Sequence, residues 1–121
     1  MNSHRDVLDV AQKYLRGIYI GGSATLHEVF RESARVEDIV TGAFRSRSAA
    51  EYIATVASRQ SPFAGGEEFA MAPTSITVLG DMAVVTADLR FLGNNYFNVL
   101  SFLRDNGRWG IAHKLFGSPR R

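Results

Sequence analysis

Apolar residues recur at helical spacing in the first half of the chain and at alternate positions in the last third. Val7, Val10, Ala11, Tyr14 and Ile18, broadened by Leu8, Leu15 and Tyr19, make one stripe on a helix over Ser3 to Ile20. Ser3, with Asp6 three residues on, is its expected cap, and Gly21-Gly22 its stop. Ser23 opens a short second helix, Ala24 to Phe30, with Leu26, Val29 and Phe30 on one side. The period then changes to two. Ala34, Val36, Asp38 and Val40 alternate with Arg35, Glu37 and Ile39, which predicts a strand with one acid on its apolar face. Thr41-Gly42 turns the chain, and Ala43 to Arg47 pairs back. Ser48 with Glu51 forms a capping box for a third helix, Ala49 to Arg59, whose stripe is Tyr52, Ile53, Val56 and Ala57.

Ser61 to Gly66 is the longest irregular segment and is expected to be a mobile rim loop. Four strands follow. Glu67 to Leu79 holds Pro73, which predicts a bulge or an edge position. Met82 to Leu92, Tyr96 to Arg104 and Arg108 to Phe116 are separated by Gly93-Asn94-Asn95 and Asp105-Asn106-Gly107. Asn-Gly between two β-type runs is a strong hairpin signal, because glycine accepts the positive φ of a tight reversal. Helices gathered on one face of a mostly antiparallel sheet make an α+β domain. A strongly curved sheet closed by three helices forms a cone with one open end, a setting for a ligand pocket.

Composition narrows the function classes. A chain of 121 residues implies one domain spanning 1–121, and 45% hydrophobic with 21% charged residues is ordinary for a globular protein. A net charge of +2 is too mild to argue for nucleic acid, and the terminal Arg120-Arg121 pair, expected as a tail, accounts for it. With no cysteine, disulfides, thiolate nucleophiles and thiolate metal sites are excluded. His4, His27 and His113 lack metal-ligand spacing, and there is no phosphate loop or nucleophile elbow, so neither metal nor cofactor is expected. The start of the chain has no apolar signal-peptide core and no run approaches bilayer length; a cytoplasmic protein without membrane contact is the expectation.

The element order, Tyr14 in the first helix, the helix end at Phe30 and the strand from Arg108-Trp109 to Leu115-Phe116 resemble the nuclear transport factor 2-like superfamily over nearly the whole chain. Within it the chain looks most similar to the SnoaL-like group labelled putative lumazine-binding. The resemblance implies a cone-like fold that serves isomerases, dehydratases, cyclases and non-catalytic carriers alike. The N-terminal half also resembles ketosteroid isomerase. That likeness implies Tyr14 as hydrogen-bond donor to a substrate oxygen and Asp38 as general base. The second oxyanion acid of that enzyme would fall near Leu100, where no acid stands. One missing donor of this kind is worth roughly 10²–10³ in rate.

On the last strand Trp109, Ile111, His113 and Leu115 share one face, and Gly110, Ala112, Lys114 and Phe116 the other. By resemblance the second set faces the cone, which puts Lys114 beside Asp38 and Tyr14; a slip of one residue would point His113 inward instead. An ammonium close to Asp38 would keep it ionised and suit the pair to a polar or anionic ligand. Lys114 and Asn98 are thus the expected polar ligand contacts, with Phe30, Val36, Tyr52, Leu100, Phe102 and Phe116 as apolar lining. Two functions remain open: proton-transfer catalysis (isomerase, dehydratase or cyclase) on a small apolar or mixed-polarity molecule, or a non-catalytic homodimeric carrier or interaction module. The outer sheet face, with Val84, Thr86, Trp109, Ile111 and His113, is the expected dimer surface.

Overall fold

The computed structural model describes residues 3–118, so Arg120 and Arg121 lie outside the described residues. The elements are α1 (Ser3–Ile20), α2 (Ser23–Val29), β1 (Phe30–Asp38), β2 (Arg45–Ser48), α3 (Ala49–Ser58), β3 (Met71–Leu79), β4 (Met82–Phe91), β5 (Asn94–Asp105) and β6 (Arg108–Gly117). The strands form one sheet in the order β2-β1-β6-β5-β4-β3, with only the β1–β6 pair parallel. The three helices pack on one face of it, so the architecture is α+β.

Local chemistry explains most boundaries. Ser48 accepts from the Glu51 N–H at 3.1 Å, and the Glu51 carboxylate accepts from the Ser48 N–H at 2.8 Å, closing the capping box of α3. The two-residue hairpins at Leu92-Gly93 and Asn106-Gly107 both have positive φ at both central residues. The first of these falls one residue earlier than the glycine and asparagines suggest. It forces Leu92 to φ 51°, a region few side-chain-bearing residues adopt. Ser3 is the first helical residue of α1 rather than its cap, and Gly22, not Ser23, precedes α2 without a side-chain cap. Phe30 belongs to β1, which starts four residues earlier than the alternation from Ala34 indicates, and the β1–β6 register shifts between Phe30 and Arg35. β3 is an edge strand and its register shifts between Pro73 and Ser75, where the missing N–H of proline interrupts the ladder.

Inward positions of β4 are Ala83, Val85, Ala87, Leu89 and Phe91, and those of β5 are Asn98, Leu100 and Phe102. They meet Val7, Ala11, Tyr14, Leu15 and Ile18 of α1 and Leu26 and Val29 of α2. Gly17 allows α2 to approach α1: a Cβ there would lie 2.7 Å from the Leu26 side chain.

β6 departs from simple alternation. Its register against β5 shifts between Ser101 and Phe102, so Phe102 faces Ile111 while Ser101 faces His113. Ala112 is the extra residue. A bulge of this kind reverses the faces of everything beyond it. Trp109 and Ile111 are buried on the inner side before it, Lys114 is buried there after it, and Phe116 packs against that core. The expected outer-face positions of Trp109 and Ile111 are thereby overturned, whereas His113 does face outward, bonded to Glu37 at 2.9 Å. The segment 61–66 is also tied down. Phe63 donates its N–H to the Tyr19 carbonyl at 3.0 Å, and the Tyr19 ring meets Phe63 and Phe69 edge-on.

Candidate functional site

A cavity of about 120 Å³ opens between α3 and the sheet, walled by residues of β2, β4, β5 and β6. Its walls carry two kinds of group. Leu89, Phe91, Tyr96 and Phe116 are apolar or aromatic, while Arg45, Arg47, Arg59, Lys114 and Asn98 are polar and mostly cationic. Each reaches the cavity for a local reason. Arg45 and Arg47 alternate on β2, Tyr52, Thr55 and Arg59 lie along one side of α3 and its C-cap, and the β6 bulge delivers Lys114.

Asp38 ends β1 directly opposite Arg45 in the β1–β2 register. Its carboxylate is fully enclosed. It accepts the Val40 N–H at 3.0 Å and forms ion pairs with Arg45 at 3.1 Å and Arg47 at 3.4 Å. Three donors satisfy the buried charge, as such a group requires.

Lys114 is 3% exposed and donates to the Tyr52 hydroxyl at 2.5 Å. Its Nζ also lies 4.2 Å from the Tyr52 ring centre, 4.8 Å from that of Phe116 and 5.1 Å from that of Tyr14. Among the described residues no carboxylate comes within ion-pair distance of it. Burial, then Arg59 and Arg47, hold its pKa well below the ordinary lysine value, and Asp38 opposes them with a smaller effect. Burial likewise pushes the Tyr52 hydroxyl up to about 12, against the pull of Arg59 and Arg47.

Tyr14 is completely buried and donates to the Asn98 side-chain carbonyl at 2.5 Å. Burial raises its pKa well above that of a free tyrosine, with Tyr52 adding to the effect. Asn98 borders the cavity and Tyr14 stands behind it, positioning the amide.

The arginines are not all satisfied. Arg47 Nε and Arg59 Nε and Nη2 are buried nitrogens without a hydrogen-bond partner. Arg59 rests on the Phe91 ring with its guanidinium carbon 5.4 Å from the ring centre. Donors of this kind at a cavity edge can accept an anion without rearranging. Among the described residues no group of three or more His, Asp or Glu could hold a metal ion.

Of the residues singled out from the sequence, Tyr52, Asn98, Lys114 and Phe116 border this cavity. Phe30, Val36, Leu100 and Phe102 are buried in the core behind it, and Tyr14 and Asp38 are one layer back from its surface. Asp38 pairs with arginine, not with Lys114. The residues that segment 61–66 contributes to the cavity wall are none. Sequence reasoning missed Arg45, Arg47 and Arg59. The Arg45–Arg47 spacing of two on a strand paired to that of Asp38 was the available signal for the first two. Nothing local marks Arg59.

The comparisons with known proteins follow the fold. A structure from Silicibacter pomeroyi, described as a nuclear transport factor 2-like protein of unknown function, superimposes with a TM-score of 0.84 at 19% identity, covering 98% of this chain and 100% of its own. One from Shewanella baltica, described in the same way, gives 0.85 at 15% identity with 98% and 95% coverage. A nuclear transport factor 2-like protein from Cytophaga hutchinsonii gives 0.74 at 17% identity with 98% and 100% coverage. At these identities the likeness is one of fold alone. None of the curated proteins matches the chain. The model of the family described as putative lumazine-binding matches residues 2–117. The chain therefore belongs to the putative lumazine-binding family, and its fold is that of the nuclear transport factor 2-like proteins.

Proposed function

We propose that this protein binds a small organic anion with a flat apolar body in the cavity beneath α3. The observation that carries the reading is the presence of unpartnered guanidinium N–H groups on Arg47 and Arg59 beside aromatic walls. Four cationic side chains against one carboxylate leave the site with excess positive charge even when Lys114 is neutral. The volume, about 120 Å³, is slightly less than that of a cavity that takes one benzene molecule, about 150 Å³. A smaller acid fits these dimensions, and a one-ring acid fits with its carboxylate inside and part of its ring at the open mouth.

The family's description names lumazine, a bicyclic molecule that would need the rim to widen. Titration with benzoate, benzamide and lumazine separates the cases. Benzoate is expected to bind about tenfold or more tightly than its neutral isostere, as a charge-assisted bond is worth about 1.5–3 kcal/mol. Arg59→Gln should remove that preference. Equal affinity for benzoate and benzamide would sink the anion reading.

A catalytic version adds proton transfer by Asp38, with Tyr14 positioning Asn98 against the substrate. It requires Asp38 to be released from Arg45 and Arg47, and therefore predicts a slow reaction unless the ligand displaces one of them. Retained turnover in Asp38→Asn would remove Asp38 as the base. A second reading concerns the outer sheet face, where Val84, Phe97, Leu103 and Leu115 are exposed on three adjacent strands. An uncovered apolar sheet face of this kind suits a two-fold dimer. A monomer in sedimentation at micromolar concentration would count against it.

A further inference from the structure

The chain holds two lysines, Lys13 and Lys114, against twelve arginines. Lys13 is exposed and paired with Glu28 at 2.9 Å. Lys114 is the opposite case, a primary amine inside a cavity whose other cations are all arginine. A guanidinium serves an anion at least as well and never loses its charge. What an amine can do and a guanidinium cannot is become a neutral nucleophile. We propose that Lys114 captures the carbonyl group of small 2-oxo acids as an imine, with the substrate carboxylate seated on Arg47 and Arg59. This rests on the anion-binding reading above.

Three arrangements support the chemistry. Desolvation and two neighbouring guanidinium groups favour the unprotonated amine, the means by which nucleophilic lysines are activated. Lys114 lines the same cavity that Arg47 and Arg59 border, with its Nζ held among the rings of Tyr14, Tyr52 and Phe116. The Tyr52 hydroxyl, 2.5 Å from Nζ, is placed to pass protons. In the reaction the Nζ lone pair forms the C–N bond as the carbonyl π bond breaks, and a proton moves from nitrogen to that oxygen. The resulting hydroxyl then leaves as water, taking up the second proton lost from nitrogen, and C=N remains. No oxidant or other reactant is needed.

The test uses benzoylformate as the 2-oxo acid and mandelate, its hydroxy counterpart, as the probe without a carbonyl. The purified protein is incubated at pH 7 with benzoylformate and cyanoborohydride, which reduces an imine to a stable secondary amine, and the adduct is located by peptide mass spectrometry. Mandelate and benzoylformate binding are measured in parallel by titration. The expected result is one adduct, on Lys114, formed at least about tenfold faster than on Lys13, since an ordinary lysine is almost wholly protonated at this pH. Tyr52→Phe should slow trapping about tenfold or more while leaving the lysine in place. Lys114→Met should lose the adduct; if it fails to fold, the wild-type peptide map and the wild-type titrations still decide. Binding of both acids with no Lys114 adduct, or labelling spread equally over Lys13, overturns the imine and leaves the anion site standing. No binding of either acid together with no adduct overturns both.

Discussion

The two ends of the interior between helices and sheet are built on opposite principles. At one end Val7, Leu26, Val29, Phe102 and Ile111 meet with almost no exposed surface. At the other, Asp38, Asn98 and Lys114 are equally buried but each needs a bond to be tolerated. Strand β6 serves both, giving Ile111 to the first and Lys114 to the second across the Ala112 bulge. The apolar end gains stability from every atom it hides. The polar end gains little, because charges removed from water recover only part of their solvation even when paired. The four cations around the cavity are therefore the costly part of the interior, and the contrast can be tested by substitution at each end.

The largest effect should come from the apolar end. Phe102→Ala leaves a hole beneath α1 and is expected to lose about 3–5 kcal/mol in urea unfolding. A much smaller loss would mean that this end is less tightly packed than its burial implies. Asp38→Asn comes next, at about 3 kcal/mol, because it leaves the enclosed Arg47 and the exposed Arg45 without their acid. The same change should tighten benzoate binding, so stability and affinity move in opposite directions.

Lys114→Met has the reverse sign. The folded-state pKa of this amine lies below its unfolded value, so between the two the unfolded chain holds the extra proton and stability rises with pH. Removing the amine should therefore raise stability by about 1 kcal/mol at pH 7. The gain should shrink as the pH climbs towards the ordinary lysine value near 10.4. A gain independent of pH would show that packing, not desolvation, is responsible. Smallest is Ser48→Ala, which opens the capping box of α3 for about 1 kcal/mol or less. Since α3 carries Tyr52 and Arg59, anion affinity should weaken with it.

What the sequence determined by itself is the local part. The 3.6-residue stripe of α1, the Ser48–Glu51 box, the Asn106-Gly107 reversal and the alternation through β4 all depend on neighbours a few positions apart, and all are present in the folded chain. Only the tertiary structure decided the rest. One extra residue in β6 moved Trp109 and Ile111 inward while keeping Lys114 there, which no reading of period two can anticipate. Asp38 chose Arg45 because strand pairing set them face to face, not because acid and amine were both expected inside. Arg59, the C-cap of α3, became part of the site because its guanidinium lies over the Phe91 ring of β4, 32 residues further along the chain. Spacing along a chain fixes which side of an element a residue occupies, but which residues share a cavity depends on register and bulges, and those follow from contacts distant in sequence.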